Sequence, residues 1–154
     1  MKQQLKQVTR GCLLALLGMG LVGCGGSGPS LKPVAGTVTL DGQPLANARV
    51  VFEPDEGRAS IGETDASGKY EARYTGTRTG VLPGKQTIRI STYRLADPDS
   101  GIETNQAETV PAKYNIQSTL EVDIPADTYD FALDSQGPII QPHQESGGRR
   151  RSTD

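Results

Sequence analysis

Histidine, cysteine and clustered carboxylates are the side chains best able to do chemistry in this 154-residue chain. There is one histidine, His143, and there are two cysteines, Cys12 and Cys24. A hydrolytic zinc site typically takes two histidines and a carboxylate, so a single imidazole excludes it. A serine–histidine–aspartate triad needs a preorganised histidine, and His143 lies in a polar C-terminal segment without apolar periodicity. We therefore expect no enzymatic activity, no metal and no cofactor.

The N-terminal segment has the layout of an export signal. Lys2, Lys6 and Arg10 make its start positive, and the uncharged stretch 11–23 follows. A membrane-spanning helix needs about 20 apolar residues, so this stretch is too short to remain as a permanent span. Residues 1–23 are therefore predicted to be a signal peptide.

The signal ends in Leu21-Val22-Gly23-Cys24-Gly25, which closely resembles the lipobox of bacterial lipoproteins. The resemblance implies that the Cys24 thiol takes a diacylglyceryl group, that a peptidase cuts before Cys24, and that the new amine is acylated. A thiolate is the nucleophile that such alkylation requires. Two or three acyl chains, such as palmitate, hold a protein stably at a membrane, whereas one chain alone binds marginally. We therefore expect lipidation at Cys24.

The alternative is an ordinary secretory signal in which Cys24 is incidental. Such a signal prefers small residues at positions −3 and −1 from the cut, and Leu21 would occupy −3. Cys12 leaves with the signal, so Cys24 would be the sole cysteine of the mature chain and no internal disulfide could form. In the lipoprotein family an aspartate after the cysteine favours the inner membrane. Gly25 stands there, so the resemblance implies the cell envelope and favours the outer membrane.

Carboxylates cluster in the long loop 94–109. Asp97, Asp99 and Glu103 are weak calcium candidates, because calcium prefers several carboxylate oxygens on a turning backbone. The third acidic position of a calcium loop is missing and Pro98 stiffens the turn, so solvated loop charge is the preferred interpretation.

Basic residues offer two further candidate surfaces. Arg149-Arg150-Arg151 could touch anionic headgroups or a wall polymer, with a solvated tail as the alternative. Arg89 and Arg94, beside Tyr93, could contact a ligand, although outward-facing strand residues commonly look the same. The formal net charge of −2 argues against nucleic acid, whose binding needs a clustered basic face.

Apolar residues alternate with a period of two over most of the chain after Cys24, which is typical of β-strands. The positions predicted to face inward are Val34, Val38, Leu40, Val50, Phe52, Tyr70, Tyr74, Ile88, Ile90, Leu120, Val122, Ile124, Phe131 and Leu133. About seven strands fit, which predicts one β-sandwich domain over 33–134. A flexible tether is expected at 24–32, and a disordered tail at 135–154 whose removal costs almost no stability.

Several segments also carry a family resemblance. Taken in order, they are similar to the carboxypeptidase regulatory-like family: Gly36-Thr37-Val38, Asp41-Gly42-Gln43-Pro44-Leu45-Ala46-Asn47-Ala48, Val50-Val51-Phe52, Thr64-Asp65-Ala66-Ser67-Gly68-Lys69-Tyr70 and Leu82-Pro83-Gly84-Lys85. The later segments Val110-Pro111-Ala112-Lys113-Tyr114-Asn115 and Ser118-Thr119-Leu120 resemble a subgroup of small bacterial lipoproteins with this domain. The resemblance implies a seven-stranded Greek-key, transthyretin-like sandwich and carries over no catalytic residue.

One position departs from that family pattern. An aromatic commonly follows the proline-glycine pair by two residues, where this chain has Gln86. Either the strand begins later here or this end of the sandwich is wetter.

These features together predict an exported, lipid-anchored, non-enzymatic β-sandwich module with a structural, adhesive or binding role at the envelope. Its partner would be an unknown envelope protein or polysaccharide. The alternative function is a small-ligand or calcium-binding module that uses the 94–109 loop.

Overall fold

The computed structural model describes residues 28–125 and 127–142, and within them the regular structure is β-strand with two short 3₁₀-helices. The strands are β1 (Ala35–Leu40), β2 (Gln43–Pro44), β3 (Arg49–Pro54), β4 (Ser60–Glu63), β5 (Lys69–Glu71), β6 (Arg73–Thr75), β7 (Arg78–Thr79), β8 (Gly84–Ser91), β9 (Glu121–Ile124) and β10 (Phe131–Leu133). The 3₁₀-helices are Pro98–Ser100 and Ala112–Tyr114. The all-β prediction is confirmed, with ten strands instead of about seven because several are only two or three residues long.

The larger sheet has six strands in the order β7-β6-β4-β3-β8-β9, and all its pairings are antiparallel. Its centre is the long pair β3–β8, in which Val50 lies opposite Ile90 and Phe52 opposite Ile88. These four side chains are fully buried. Strict alternation in both strands places one apolar row on the inner face, and this row is the centre of the core.

The smaller sheet has four strands built around β1. The second half of β1 pairs in parallel with β10, where Val38 lies opposite Phe131. Its first half pairs antiparallel with β5, and its end forms a tight hairpin with β2. Asp41 and Gly42 in that hairpin have φ of 50° and 79°, the left-handed pair that a two-residue turn requires.

The core lies between the two sheets and contains a cluster of aromatic rings. Phe52 of the larger sheet lies 6.0 Å from Tyr70 and 6.4 Å from Phe131 of the smaller sheet, measured between ring centroids. The Tyr70 hydroxyl donates to the carbonyl of Tyr129 at 2.7 Å, so its polar end is satisfied. Leu40, Leu120 and Val122 of the predicted core are only partly buried against this cluster.

The segment that carries the predicted core residues Tyr70 and Tyr74 is divided between the two sheets. β5 pairs with β1 and β6 pairs with β4, and the buried Ala72 lies at the corner between them. Tyr74 was predicted to face the core but is half-buried beside Arg78, whose guanidinium lies 5.8 Å from its ring centroid. Burial still alternates from Tyr70 through Ala72 to Tyr74, but Tyr74 is not among the side chains that pack against the core, so it does not fill the core position predicted for it.

The structure also changes two expected boundaries, the start of β8 and the start of the C-terminal tail. β8 begins at Gly84, and Gln86 is buried with its amide nitrogen donating to the carbonyl of Leu82 at 3.0 Å. The strand therefore does not start later, and the sandwich accepts a polar amide in the aromatic position. A disordered tail was expected from residue 135 onward. Residues 135–141 instead lie against the domain, where Ser135 and Gln141 make hydrogen bonds to it.

Candidate functional site

The strands define two opposite ends of the domain. The N-terminal pole consists of residues 29–32, the β3–β4 loop 55–59 and the segment 81–85, where Lys32 pairs with Val81. The hairpin pole consists of the Asp41-Gly42 turn, the turn 64–68 and the segment 92–107 after β8. Strand β3 runs from the hairpin pole, beside Thr64, to the N-terminal pole. These two ends hold the loops, where binding residues of a sandwich normally lie.

A shallow groove of about 430 Å³ opens at the N-terminal pole. Its walls are mostly apolar and include three prolines, and its lining residues are Pro29, Ser30, Pro54, Asp55, Glu56, Leu82, Pro83 and Lys85. The Lys85 ammonium lies 2.8 Å from the Glu121 carboxylate. This hydrogen bond and charge, and more weakly the charge of Asp55, raise the pKa of Lys85. The groove therefore combines an apolar floor with two carboxylates and one paired ammonium.

The predicted ligand loop at the hairpin pole is an ordered β-hairpin. Arg94 and Gln106 exchange both backbone hydrogen bonds, at 3.0 and 2.8 Å, and Asp97 and Ile102 do so closer to the tip. The side chain of Asn105 accepts from the amide of Ala96 at 2.7 Å. The tip itself is the 3₁₀ turn Pro98–Ser100.

The calcium candidates lie on this hairpin. Asp97, Asp99 and Glu103 are all exposed. Among residues 28–125 and 127–142, no group of three histidine, cysteine, aspartate or glutamate side chains is placed to hold a metal ion. The hairpin ladder separates its carboxylates along both arms and does not gather them around one centre.

Glu108 anchors the base of the hairpin, although no motif or spacing in the sequence marks it as a functional residue. Its side chain accepts hydrogen bonds from the Ser91 hydroxyl, the amide and hydroxyl of Thr92, and the amides of Thr109 and Val110. Burial alone would raise the pKa of Glu108, but the hydrogen bonds from Ser91, Thr92 and Val110 outweigh it and lower the pKa. Such a carboxylate is a poor general base and a strong structural acceptor.

A second clamp joins the helix Ala112–Tyr114 to the end of β10. Asp134 accepts from the Lys113 ammonium at 2.6 Å and from the Tyr114 hydroxyl at 2.7 Å. The hydrogen bonds from Lys113 and then Tyr114, with one from the Gln136 amide, lower the pKa of Asp134 to about 2. Lys113 and Tyr114, which belong to the family resemblance, thus connect the 3₁₀-helix to the residue that follows β10.

The arginine patch suggested beside Tyr93 is engaged within the domain. Arg89 pairs with Glu53 at 2.7 Å and donates to the carbonyl of Asn115 at 2.7 Å. Arg94 pairs with Glu63 at 3.2 Å, and only 13% of its side chain is exposed. Both guanidiniums therefore stabilise neighbouring elements and do not form a vacant anion site.

Some predicted residues lie outside the described ranges. These are Cys24 with the rest of the signal, His143, and Arg149–Arg151. Within the described ranges, no helix has the length and apolar character needed to cross a membrane.

Sequence signals for the groove and the Glu108 anchor are absent for a common reason. The donors to Glu108 that tie it to β8 come from residues 91 and 92, far away in the chain, and the groove walls come from three separate segments. Neither arrangement leaves a local spacing pattern.

Comparisons with known proteins do not assign a family. No protein-family model matches the chain, and neither a curated protein nor a solved structure matches it.

Proposed function

We propose that this protein is exported, acylated at Cys24 and held at the cell envelope as a non-enzymatic β-sandwich module with a structural, adhesive or binding role. The observation that carries the proposal is the sequence Leu21-Val22-Gly23-Cys24 at the end of a short apolar stretch with a basic start. The basic start and short apolar stretch have the layout of a signal peptide, and the last four residues resemble the lipobox of bacterial lipoproteins.

The position of the folded domain supports the proposal. The carbonyl of Pro29 accepts a hydrogen bond from Arg78 at 2.6 Å, and Lys32 pairs with Val81. Pro29 stands five residues after Cys24 and inside the segment 24–32 that was expected to be a flexible tether, yet it contacts the domain. Five residues span at most about 18 Å, so an anchor at Cys24 would keep the N-terminal pole close to the bilayer.

We further propose that the domain is a carboxypeptidase regulatory-like, transthyretin-like sandwich with Greek-key connections. The two sheets and the positive φ angles of Asp41 and Gly42 agree with the turn and strand pattern of that family. Asp65 supports the same assignment, because its carboxylate accepts from the amides of Ser67 and Lys69 and so shapes the turn 64–68, which belongs to the family resemblance.

In this arrangement the hairpin pole points away from the membrane. The hairpin 94–106, held by Glu108, would then be the element offered to an envelope protein or polysaccharide. Gly25 after the modified cysteine favours the outer membrane as the site of attachment.

The test is metabolic labelling of the full chain with radioactive palmitate in a bacterium that processes lipoproteins. Cys24→Ala should abolish labelling and leave an uncut precursor. Cys12→Ala is the matched control, because it removes the other thiol of the signal, and it should label and mature like the wild type. Labelling of the Cys24 variant at wild-type strength would refute the proposal.

The calcium-binding alternative has less support, since the described carboxylates of the hairpin do not converge. A ligand at a hundredfold excess over Kd stabilises the native state by about 2.7 kcal/mol. A rise of melting temperature in calcium that is absent in magnesium would therefore favour that alternative.

A further inference from the structure

Residues 28–31 form a short strap that lies against the N-terminal pole. We propose that this strap opens and closes against the domain, and that the Arg78 side chain holds it closed. The groove at the same pole would then be complete only in the closed state. This inference goes beyond the membrane attachment proposed above and does not depend on it.

The guanidinium of Arg78 contacts both the strap and an aromatic ring. Its Nη2 donates to the carbonyl of Pro29 at 2.6 Å, and its Cζ lies 5.8 Å from the ring centroid of Tyr74. A Cβ at Gly28 would collide with Nη1 of Arg78, so the missing side chain allows the strap to pass close to the guanidinium. The ring and the strap therefore share one cation.

No carboxylate competes with the strap for Arg78 within residues 28–125 and 127–142. The ion pairs found there all involve other lysines and arginines. The backbone amide of Arg78 donates to the Thr75 hydroxyl at 3.1 Å, which fixes the backbone from which the side chain projects. Arginine stays protonated at all ordinary pH values, so the contact with Pro29 does not depend on a titrating group.

The strap has few other contacts with the domain. Lys32 and Val81 exchange two backbone hydrogen bonds, at 2.9 and 2.8 Å, and this pair marks the point where the strap joins the domain. Among the described residues, the bond from Arg78 is the one hydrogen bond that links the strap itself to other segments. Residues 28–30 are exposed and Leu31 is half-buried. Segments with so few buried contacts open at a small cost in free energy, so we expect the strap to open while the sheets stay intact.

Opening of the strap changes the groove directly. Pro29 and Ser30 form one part of its wall, and the other parts come from residues 54–56 and from the segment 82–85. An open strap takes Pro29 and Ser30 away and leaves the groove without that wall. Because coupling between two equilibria is reciprocal, a molecule that contacts Pro29 and Ser30 in the groove would also hold the strap closed.

The test is limited proteolysis of the full-length protein in a mild detergent with thermolysin, a protease that cuts before leucine. Cleavage between Ser30 and Leu31 requires the strap to leave the domain, and mass spectrometry identifies it by the fragment that starts at Leu31. Cleavage before Leu95, whose side chain is 54% exposed on the hairpin, is the internal control. When opening and closing are fast, the rate of cleavage reports the population of the open state.

Arg78→Ala should accelerate cleavage before Leu31 by about three- to tenfold, the effect of losing one hydrogen bond, and leave cleavage before Leu95 unchanged. Arg78→Lys should give an intermediate rate, because an ammonium keeps a donor but lacks the planar group that lies over Tyr74. Arg58→Ala is the matched control, because it removes an exposed arginine from the β3–β4 loop at the same pole, and it should change neither rate.

Three results would overturn the inference. Equal rates of cleavage before Leu31 in the wild type and in Arg78→Ala would show that Arg78 does not hold the strap. Acceleration at both leucines would show that the variant loosens the whole domain and not the strap alone. Protection of Leu31 in both proteins, under conditions that cut before Leu95, would show that the strap does not open.

Discussion

At the residue scale, two carboxylates act as fastening points of the domain. Glu108 lies 4% exposed and binds the end of β8 to the segment that follows the hairpin, through donors from Ser91, Thr92 and Val110. Asp134 binds the Ala112–Tyr114 helix to the end of β10. Hydrogen bonds to charged acceptors are stronger than those between neutral groups, so the buried Glu108 should contribute more stability than an exposed acid. The Asp134 side chain is 49% exposed, so solvent weakens its contribution.

The first prediction concerns Glu108→Gln. Glutamine keeps one acceptor oxygen for the amides of Thr92 and Val110, but it removes the negative charge that strengthens these bonds, and its NH2 group forces the Ser91 hydroxyl to accept instead of donate. We expect a loss of about 1–3 kcal/mol in the free energy of unfolding, measured by urea denaturation. Glu103→Gln on the exposed hairpin is the control and should change it by less than about 0.5 kcal/mol. Equal midpoints for the two variants would contradict the anchoring role.

The second prediction concerns acid. The pKa values of Glu108 and Asp134 lie below their ordinary values, which are about 4. A carboxylate with a lowered native pKa contributes stability above its unfolded-state pKa and loses it as the pH falls through the native value. Stability should therefore decline as the pH falls from about 4 towards the native pKa of Asp134, about 2.

Urea denaturation at a series of pH values checks this expectation. Glu108→Gln and Asp134→Asn should each show a shallower decline in stability over that range. A decline as steep as that of the wild type in both variants would show that other groups cause it.

At the element scale, β1 is the strand on which the smaller sheet depends, because it pairs with β2, β5 and β10. Gly36 lies in its first half, opposite Tyr70. A Cβ at this position would collide with the carbonyl of Tyr129 and come within 3.1 Å of the Tyr70 ring. The missing side chain is what allows the Tyr70 hydroxyl to reach that carbonyl.

The third prediction is that Gly36→Ala destabilises the protein by about 1–3 kcal/mol, because an added methyl group must displace backbone in a packed region. Gly76→Ala is a suitable control, since a Cβ there meets no described atom within 4 Å. Thermal unfolding followed by circular dichroism measures both variants. A Gly36 variant as stable as the Gly76 variant would mean that the smaller sheet can open to accept a side chain.

At the scale of the whole molecule, the segment after β10 closes the hairpin pole. The amide of Ser135 donates to Asp41 at 3.0 Å, and the carbonyl of Pro138 accepts from the amide of Ala112 at 2.9 Å. The side chain of Gln141 exchanges two hydrogen bonds with the backbone of Glu108, at 2.9 and 2.8 Å. Residues 135–142 therefore connect β1, the Ala112–Tyr114 helix and the hairpin base.

The fourth prediction follows for truncated chains. A chain of residues 28–142 should unfold cooperatively and be as stable as one of residues 28–154. A chain of residues 28–134 should lose about 1–3 kcal/mol, because buried groups near Glu108 and Ala112 lose their partners. Guanidinium denaturation of the three chains measures this. Equal stability of the two shorter chains would support the tail boundary expected from composition.

Local patterns in the sequence determined the type of structure and several of its details. Alternating apolar residues predicted β3 and β8, and Asp41-Gly42 predicted the first hairpin, because strand alternation and turn conformation depend on neighbouring residues. The lipobox is equally local, so the proposal for Cys24 comes from sequence alone.

Contacts between distant segments decided the rest. The chain passes from one sheet to the other at Ala72, where the Ala72 amide donates to the carbonyl of Val34. Glu108 is held by donors at the end of β8, such as the amide of Thr92. The polar segment 135–142 has no apolar alternation, yet it packs because its backbone and Gln141 find hydrogen-bond partners far away in the chain. Composition and periodicity report apolar burial and local turns, whereas hydrogen bonds between segments 15 or more residues apart arise only once the sheets have brought those segments together.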